Sequence, residues 1–158
     1  FFACTDGSGY CYSFVDEVVM TQPTIGSNVE EVVYKNVHMN MWDLGGQDSL
    51  RNSWATYYVD TSACILVVDS TDKLRMSVVR EELFRMLEHE SLNSSCVLVY
   101  ANKQDLRGAL GEEDIAELLG LHSITNHPWH IQPCCALTGA GLGDGLDWLT
   151  AQLGSWSK

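Results

Sequence analysis

The sequence predicts an α/β fold in which a mostly parallel sheet carries helices on both faces. Short apolar runs such as Ala63–Asp69 and Cys96–Ala101 have the unbroken hydrophobic character of buried parallel strands. Amphipathic segments with helical spacing, such as Ser77–Glu90, lie between such runs. From residue 22 onward strands and helices alternate, which is the order that places parallel strands side by side through crossover helices.

The length and charge of the chain limit its organisation and its partners. With 158 residues, 46% of them hydrophobic, the chain is predicted to form a single domain over residues 1–158, in which residues 1–13 are atypical. Nine Lys and Arg against 21 Asp and Glu give a formal net charge of -12, so no nucleic-acid partner is expected. The six cysteines form no CxxC pair, which predicts a reducing, intracellular location without disulfides or a zinc site.

The first predicted elements are a hairpin and a short helix. Segments Val29–Tyr34 and Val37–Trp42 are predicted as strands joined by the two-residue turn Lys35-Asn36. A short helical stretch is predicted over Ser49–Tyr58, before the buried strand Ala63–Asp69.

The second half of the chain repeats the pattern. The helix Ser77–Glu90 follows from the helical spacing of the apolar residues Met76, Val79, Leu83 and Leu87. Acidic residues in the first turn of Glu112–Leu119 favour a helix there, because they complement the helix dipole. Trp129–Cys135 is predicted as a strand, and Pro133 restricts it to the sheet edge because Pro lacks a ladder N–H. Asp144–Leu153 is predicted as the closing helix.

The residues that follow the apolar runs are candidates for a ligand site, because ligands of open α/β sheets bind at the carboxyl ends of the strands. Asp43, Asp69, Asn102 and Ala136 occupy such positions. We therefore expect the chemistry of this chain to lie along one edge of its sheet.

The segment Trp42–Gln47, with the sequence WDLGGQ, combines three groups suited to a phosphate. An Asp at a strand end can hold Mg²⁺ directly or through water, and two glycines allow a backbone N–H to approach a phosphate oxygen. A Gln next to them can orient an attacking water. The alternative is an ordinary Gly-rich turn after a strand.

Asn102–Asp105, with the sequence NKQD, is suited to recognising guanine. A carboxylate can accept two hydrogen bonds from the N1–H and N2–H₂ edge of guanine, which adenine does not offer. The Lys stem can lie along the base plane, and the Asn can join the loop to its neighbours. The alternative is a polar surface turn, although its place at a strand end favours the functional interpretation.

Two further segments are weaker by themselves. In PTIG, the hydroxyl of Thr24 could ligate Mg²⁺ and its N–H could contact a terminal phosphate, or the segment could be a loop that enters a strand. In Cys134–Ala136 a backbone N–H could reach the guanine O6, or the segment could be an ordinary strand end.

In order and spacing, PTIG, WDLGGQ, NKQD and CCALTG together resemble the motifs of the Arf and Arf-like family of small GTPases. The resemblance runs from about Phe14 to Lys158. It implies the small-GTPase fold, a P-loop NTPase-type sheet with helices on both faces, and a switch driven by GTP and GDP with Mg²⁺ as cofactor. GTP hydrolysis is the activity of the family.

The resemblance also implies a role for each matching residue. Thr24 and Asp43 would hold Mg²⁺, the latter through water, and Gln47 would position the hydrolytic water. Gly45 and Gly46 would lie at the terminal phosphate, where Gly46 donates its N–H. Guanine would be bound by residues of the two last motifs: Asn102, Lys103, Asp105, Cys135 and Ala136.

The family's partners and location follow from the same resemblance. An exchange factor, a GTPase-activating protein and effectors would bind the switch regions, Thr24–Gly26 and Asp43–Tyr58. The implied role is vesicle-mediated and intracellular protein transport, in the cytoplasm at Golgi and trans-Golgi membranes. The family binds membranes through an N-terminal lipid; this chain has no Met-Gly start for it, so the lipid is expected only of the complete family protein.

The sequence departs from the family at its beginning. The phosphate-loop pattern Gly-x-x-x-x-Gly-Lys-[Ser/Thr] occurs nowhere in the chain, and the family spacing counted back from Thr24 puts its lysine at about Asp6. The stretch 1–9 imitates a strand and a Gly-rich turn but is too short to be both, so the first strand of the sheet is expected to be missing.

Two interpretations of this beginning remain open. Because the chain starts with Phe1, it is expected to be an incomplete or mis-spliced version of a working GTPase. The alternative is a variant that does not bind nucleotide and acts as a protein-interaction module. The sequence therefore leaves open whether this chain hydrolyses GTP.

Three other features admit alternatives. His127 and His130 have an H-x-x-H spacing, for which packing is favoured over zinc because no third ligand lies nearby in the sequence. The vicinal Cys134 and Cys135 could be a redox pair or packing residues. The aromatic cluster of Trp54, Tyr57 and Tyr58 could bind effectors or belong to the core.

Overall fold

A six-stranded sheet organises the chain in the computed structural model, which describes residues 2–4, 27–45, 51 and 53–155. The strand order is β2-β3-β1-β4-β5-β6, with β2 antiparallel to β3 and all other neighbours parallel. The mostly parallel sheet with an antiparallel hairpin strand is therefore confirmed. The strands are β1 (Phe2–Cys4), β2 (Ser27–Tyr34), β3 (Val37–Gly45), β4 (Ala63–Asp69), β5 (Cys96–Asn102) and β6 (Trp129–Pro133).

The α-helices of the described part of the chain are α1 (Met76–Leu87), α2 (Glu112–Leu119) and α3 (Leu142–Ser155). Helix α2 has the predicted bounds, and α3 extends two residues beyond its predicted bounds at each end. The predicted Ser77–Glu90 helix stops at Leu87, before a short 3₁₀ turn. Of the predicted Ser49–Tyr58 helix, the part from 53 onward contains a 3₁₀ turn, Trp54–Tyr57. None of the described helices is long and apolar enough to cross a membrane.

The helices cover both faces of the sheet, as predicted. Successive residues of β4 and β5 point to opposite faces, and both faces are buried. One face packs against α1 and α2 and the other packs against α3. The first face includes Leu66, Val68, Val97 and Val99 with Val79, Leu83, Ile115 and Leu119; the second includes Ile65, Val67, Leu98 and Tyr100 with Leu146 and Leu149.

The prediction that the first strand is absent was wrong. Phe2–Cys4 forms β1 in the middle of the sheet, parallel to β3 on one side and to β4 on the other. Three residues suffice because the strand is paired on both sides, whereas the sequence showed only an apolar run too short for a strand and a loop together. The sheet therefore has no gap between β3 and β4, and β1 supplies a hydrogen-bonded partner to each of them.

The turn of the hairpin is fixed to the last helix. Lys35, in the turn between β2 and β3, has a left-handed backbone with φ 54°. Its Nζ lies 2.5 Å from Asp147 Oδ1 on α3, and the Tyr34 hydroxyl donates to the same oxygen at 2.7 Å. The hairpin connects the two predicted switch regions, and its turn is therefore bound to α3 through Asp147.

Strand β6 lies at the edge of the sheet, as Pro133 required. Pro133 pairs in register with Ala101, and the next residue, Cys134, donates its N–H to the Ala101 carbonyl at 3.0 Å. Since alternate N–H groups of a strand point to opposite sides, the Pro133 nitrogen faces away from β5. The strand ends at Pro133, two residues before its predicted end.

Candidate nucleotide-binding site

The predicted site residues that the structure describes lie along one edge of the sheet. Because β1 and β3 to β6 are parallel, their carboxyl ends meet at the same edge. Strands β1 and β4 lie between the end of β3, with Asp43 and Gly45, and the end of β5, with Asn102. The edge thus has a proposed phosphate end and a proposed base end.

Asn102 joins the three loops of the base end. It is the last residue of β5 and is only 3% exposed. Its Oδ1 accepts the Ala136 N–H at 2.9 Å and lies 3.7 Å from the Cys134 thiol. Its backbone carbonyl accepts the Ser70 N–H at 3.0 Å. These contacts join the Asn102 loop to the neighbouring loops, and the binding of nucleotide by Asn102 stays a prediction.

Lys103 is held by a carboxylate from the neighbouring strand. Its Nζ lies 2.7 Å from Oδ2 of Asp69, the last residue of β4, and both side chains are less than one-fifth exposed. Burial acts to raise the pKa of Asp69, but hydrogen bonds from Lys103 and Thr71 outweigh it and hold that pKa below its ordinary value. Asp69 therefore stays ionised and paired with Lys103 at neutral pH.

Gln104 fastens the same loop to the protein, a role that sequence reasoning missed. Its Nε2 donates to Ser70 Oγ at 2.9 Å and to the Leu110 carbonyl at 3.0 Å, and its N–H donates to the Cys134 carbonyl at 3.2 Å. Ser70 is fully buried. The segment Asp69-Ser70 is thus a support of the base end; the only sequence signal for it was its position after a buried strand.

Asp105 is exposed, and its Oδ1 lies 3.1 Å from the Cys135 thiol, which can donate to it. Cys135 itself is buried. An ionised carboxylate accepts about four hydrogen bonds through its two oxygens, so one bond from a thiol leaves capacity for the guanine edge. The structure therefore brings together Cys135 and Asp105, two of the predicted guanine-site residues.

The N–H of Ala136 is already engaged by Asn102. The sequence predicted that a backbone N–H of Cys134–Ala136, without naming which of the three, could reach the guanine O6. A hydrogen bond from the same group to a base would have to be shared with the Asn102 carbonyl oxygen or replace it. The place of Ala136 beside Asn102 agrees with the prediction, and its contact with O6 stays a prediction.

The phosphate end is described only in part. Asp43 lies within β3, in register with Asn28 of β2 and Phe2 of β1, and not after the strand as predicted. Gly45 is buried at the end of β3, and its carbonyl accepts the indole N–H of Trp54 at 3.2 Å. The other predicted residues of this end lie outside the described residues: Thr24, Gly26, Gly46 and Gln47, together with Asp6.

A left-handed glycine closes the loop behind the base end. Gly141 has φ 77°, and a Cβ on it would lie 2.1 Å from the Pro133 carbonyl oxygen. Both the backbone conformation and the space therefore require glycine.

Substitution Gly141→Ala is expected to lower the free energy of unfolding by about 1–3 kcal/mol, because alanine is strained at this φ and clashes with Pro133. Denaturant unfolding measures the change. Gly154→Ala is the matched control, since nothing lies within 4 Å of its added Cβ. Equal stability of the two variants would contradict the expected strain.

For the two histidines and the vicinal cysteines, the structure favours packing over the zinc and redox interpretations. His127 is buried with Nδ1 3.0 Å from the Ser95 carbonyl oxygen, and His130 stacks on Trp148. Within the described ranges no three His, Cys, Asp or Glu residues are grouped as metal ligands would be. Burial, followed by the charge of Cys135, raises the pKa of Cys134 to about 12, which disfavours the thiolate needed for redox chemistry.

The aromatic cluster divides between core and surface. Trp54 and Tyr58 are buried, 3% and 6% exposed. Tyr57 is half-buried, and its ring lies 5.2 Å from that of Trp42, which is 38% exposed. Core packing thus accounts for two members, and the third extends an exposed aromatic surface on the hairpin.

Comparisons with known proteins agree with this geometry. The model of the ADP-ribosylation factor family matches residues 12–153. ADP-ribosylation factor-like protein 5 of Dictyostelium discoideum is 58% identical over 139 residues, which cover 88% of this chain and 76% of the relative. ADP-ribosylation factor-like protein 5A of Bos taurus is 56% identical over 143 residues, 90% of this chain and 80% of the relative. The stretches PTIGSNVEEVVY and WHIQPCCALTGAGL favoured the same subfamily, which these relatives confirm.

A solved structure confirms the fold. The Arl6 BBS3 small GTPase from Trypanosoma brucei, determined with the bound nucleotide analogue GppNp, superposes with a TM-score of 0.89 at 31% identity. The match covers 99% of this chain and 96% of that chain. The small-GTPase fold therefore extends over the whole sheet, including β1.

Proposed function

Since this chain belongs to the ADP-ribosylation factor family of small GTPases, we propose that the edge described above is the guanine-nucleotide site of a GTP- and GDP-dependent switch. Residues 1–158 by themselves would bind the nucleotide there only weakly, because their sequence contains no phosphate-loop motif. The observation that carries the proposal is the assembled base end. Asn102 is bonded to Ala136, Lys103 to Asp69, and Asp105 to Cys135. Gln104 joins the same segment to Ser70. An ordinary polar surface turn would not require its side chains to be held by hydrogen bonds to several neighbouring segments.

In this proposal Asp105 selects guanine. Its carboxylate accepts hydrogen bonds from the N1–H and N2–H₂ groups, which adenine does not present. The stem of Lys103 lies along the base plane, and Asn102 keeps the two loops in register through Ala136. The base is thus recognised by a charged group on an immobilised loop, which gives specificity with little ordering cost on binding.

At the phosphate end, Thr24 and Asp43 would hold Mg²⁺, with Asp43 acting through water. Mg²⁺ needs few protein ligands, because phosphates and waters complete its octahedral shell. Asp43 lies opposite Phe2 of β1 and two residues before the carboxyl end of β3, near the edge where the phosphates would lie. Gly46 would donate its N–H to the terminal phosphate, and Gln47 would orient the water that attacks it.

The switch would act through surfaces on either side of the hairpin. Bound GTP would hold Thr24–Gly26 and Asp43–Tyr58, and hydrolysis would release them. An exchange factor, a GTPase-activating protein and effectors would bind there; exposed Val29, Val33 and Trp42 on the hairpin offer apolar area to them.

In the cell, we place this switch in vesicle-mediated and intracellular protein transport at Golgi and trans-Golgi membranes. The support is the resemblance to ADP-ribosylation factor-like protein 5. In the complete family protein, an N-terminal lipid would supply the membrane contact.

A second candidate is a protein-interaction module that does not bind nucleotide. The absence of Gly-x-x-x-x-Gly-Lys-[Ser/Thr] from the sequence favours it, because that loop supplies backbone N–H groups and a Lys to the phosphates. The base end of the site does not depend on that loop, so the two candidates differ in whether guanine binds.

Titration of the isotopically labelled chain with guanosine, GDP and ADP at millimolar concentrations distinguishes them by NMR. Guanosine and GDP are expected to shift the amide resonances of residues 102–106 and 134–138, and ADP is expected to leave them unchanged. Equal shifts with ADP, or none with guanosine and GDP, would contradict guanine recognition and favour the interaction module.

A further inference from the structure

The side chain of Asp69, at the end of β4, forms hydrogen bonds with two other residues, Thr71 and Lys103. It lies in register with Asn102, so its side chain emerges beside the guanine loop. Oδ1 accepts both the N–H of Thr71 at 2.8 Å and the Thr71 hydroxyl at 2.6 Å. Oδ2 accepts the Lys103 ammonium at 2.7 Å. Both oxygens are therefore engaged, and the carboxylate has one defined orientation.

The pair between Asp69 and Lys103 is shielded from solvent. The side chains are 16% and 18% exposed, in contrast to the surface pair of Lys35 and Asp147, whose side chains are 58% and 49% exposed. Coulomb attraction between partly buried charges is screened less than at the surface. The contact therefore fixes the course of a long side chain that would otherwise sample many rotamers.

The backbone of Lys103 gives a second reason to regard this side chain as important. Its φ is 68°, in the left-handed region that L-residues other than Gly, Asn and Asp seldom adopt. Glycine would occupy this position without strain. A lysine here implies that its side chain is needed, and Asp69 is the charged partner that holds it.

We infer that Asp69 is a positioning residue of the guanine site, which holds the Lys103 stem in the plane where the base stacks. This inference rests on the proposed function. Asp69 acts through Lys103 and touches neither the base edge nor the phosphates. Its effect is therefore on how tightly any base of suitable shape is held, and not on which base is chosen.

The test compares Asp69→Asn with Asp72→Asn, each measured for guanosine affinity by NMR titration. Asp72 is a matched control because its carboxylate also pairs with a cation in the same segment, Arg75, which is not among the predicted guanine-site residues. Asp69→Asn is expected to weaken guanosine binding about three- to tenfold, because the released Lys103 side chain must then be ordered when the base binds. The affinity of Asp72→Asn should stay within about twofold, and thermal unfolding checks that both variants fold.

A merely structural role is excluded by two further measurements. Asp69→Asn should add little to the loss caused by Lys103→Ala, and in an Asp105→Asn chain it should weaken xanthosine binding by the same factor. Additive losses, or an effect on one base alone, would contradict positioning through Lys103.

A ligand-independent measurement separates this inference from the proposed function. The ammonium NMR signal of Lys103 should be narrow and protected in the unsubstituted chain and in Asp72→Asn, and broadened in Asp69→Asn. If that signal depends on Asp69 but guanosine does not bind, the proposed function fails and Asp69 only orders Lys103. If guanosine binds but neither signal nor affinity depends on Asp69, the inference alone fails.

Discussion

The 158-residue chain is expected to bind Mg²⁺-GDP no more tightly than about millimolar and to hydrolyse no GTP, because the phosphate-loop motif is absent from its sequence. Such a loop supplies several backbone N–H donors and one Lys to the phosphates. Each hydrogen bond to a charged group contributes roughly 1.5–3 kcal/mol. The loss of three such bonds weakens binding by about 4–9 kcal/mol, or roughly 10³- to 10⁶-fold.

The charges of the chain do not compensate for this loss. The net charge is -12, and the family spacing from Thr24 puts Asp6 where a lysine would be. The base end can still recognise guanine, so guanosine and GDP are expected to bind with similar weak affinity.

Calorimetry with Mg²⁺-GDP checks this result. The comparison is a chain in which an apolar strand followed by a Gly-x-x-x-x-Gly-Lys-Thr segment replaces residues 1–13, so that the sheet keeps its central strand. The replacement is expected to tighten GDP binding by at least about 10³-fold. A micromolar dissociation constant for the unsubstituted chain would show that residues 1–13 form a substitute phosphate site.

In the comparison chain with the replaced loop, Asp105→Asn is expected to weaken GDP binding by about 2–4 kcal/mol, since two hydrogen bonds to a charged group are lost. The amide of asparagine can donate to the carbonyl at the corresponding position of xanthine. Xanthine nucleotides should therefore bind the variant better than GDP does.

Competition between GDP and XDP measures this preference directly. Asp114→Asn is a matched control, because Asp114 is an exposed carboxylate in the first turn of α2. Equal weakening of both nucleotides by Asp105→Asn would assign guanine recognition to another residue.

The base end shows what local sequence can predict. Strand β4 and helix α2 have the predicted bounds, because an unbroken apolar run and an acidic first turn are local signals. Since β4 and β5 are parallel, polar residues at their ends had to share an edge. Asn102 and Asp105 could therefore be located before any coordinates were known.

The strand β1 and the residues that support the site depend on contacts between distant parts of the chain. The three residues of β1 carry no periodicity, and their strand exists because β3 and β4 supply partners on both sides. The pairing of Lys103 with Asp69 joins residues 34 positions apart, and the bonds of Gln104 reach Ser70 over the same separation. Such contacts have no local signature, so the supporting residues of the site could not be read from spacing.

The central place of β1 also affects the order in which the sheet folds. In the hairpin, Tyr34 pairs with Val37, so the strands β2 and β3 join residues that are close in sequence. A hairpin of this kind forms within about 1–10 μs. Strand β1 pairs Phe2 with Asp43 and with Ile65, and so closes loops of about 40 and 60 residues at a larger entropic cost. We therefore expect β1 to dock late, after the hairpin and the β4–β5 pair. Weakening it should speed unfolding more than it slows folding.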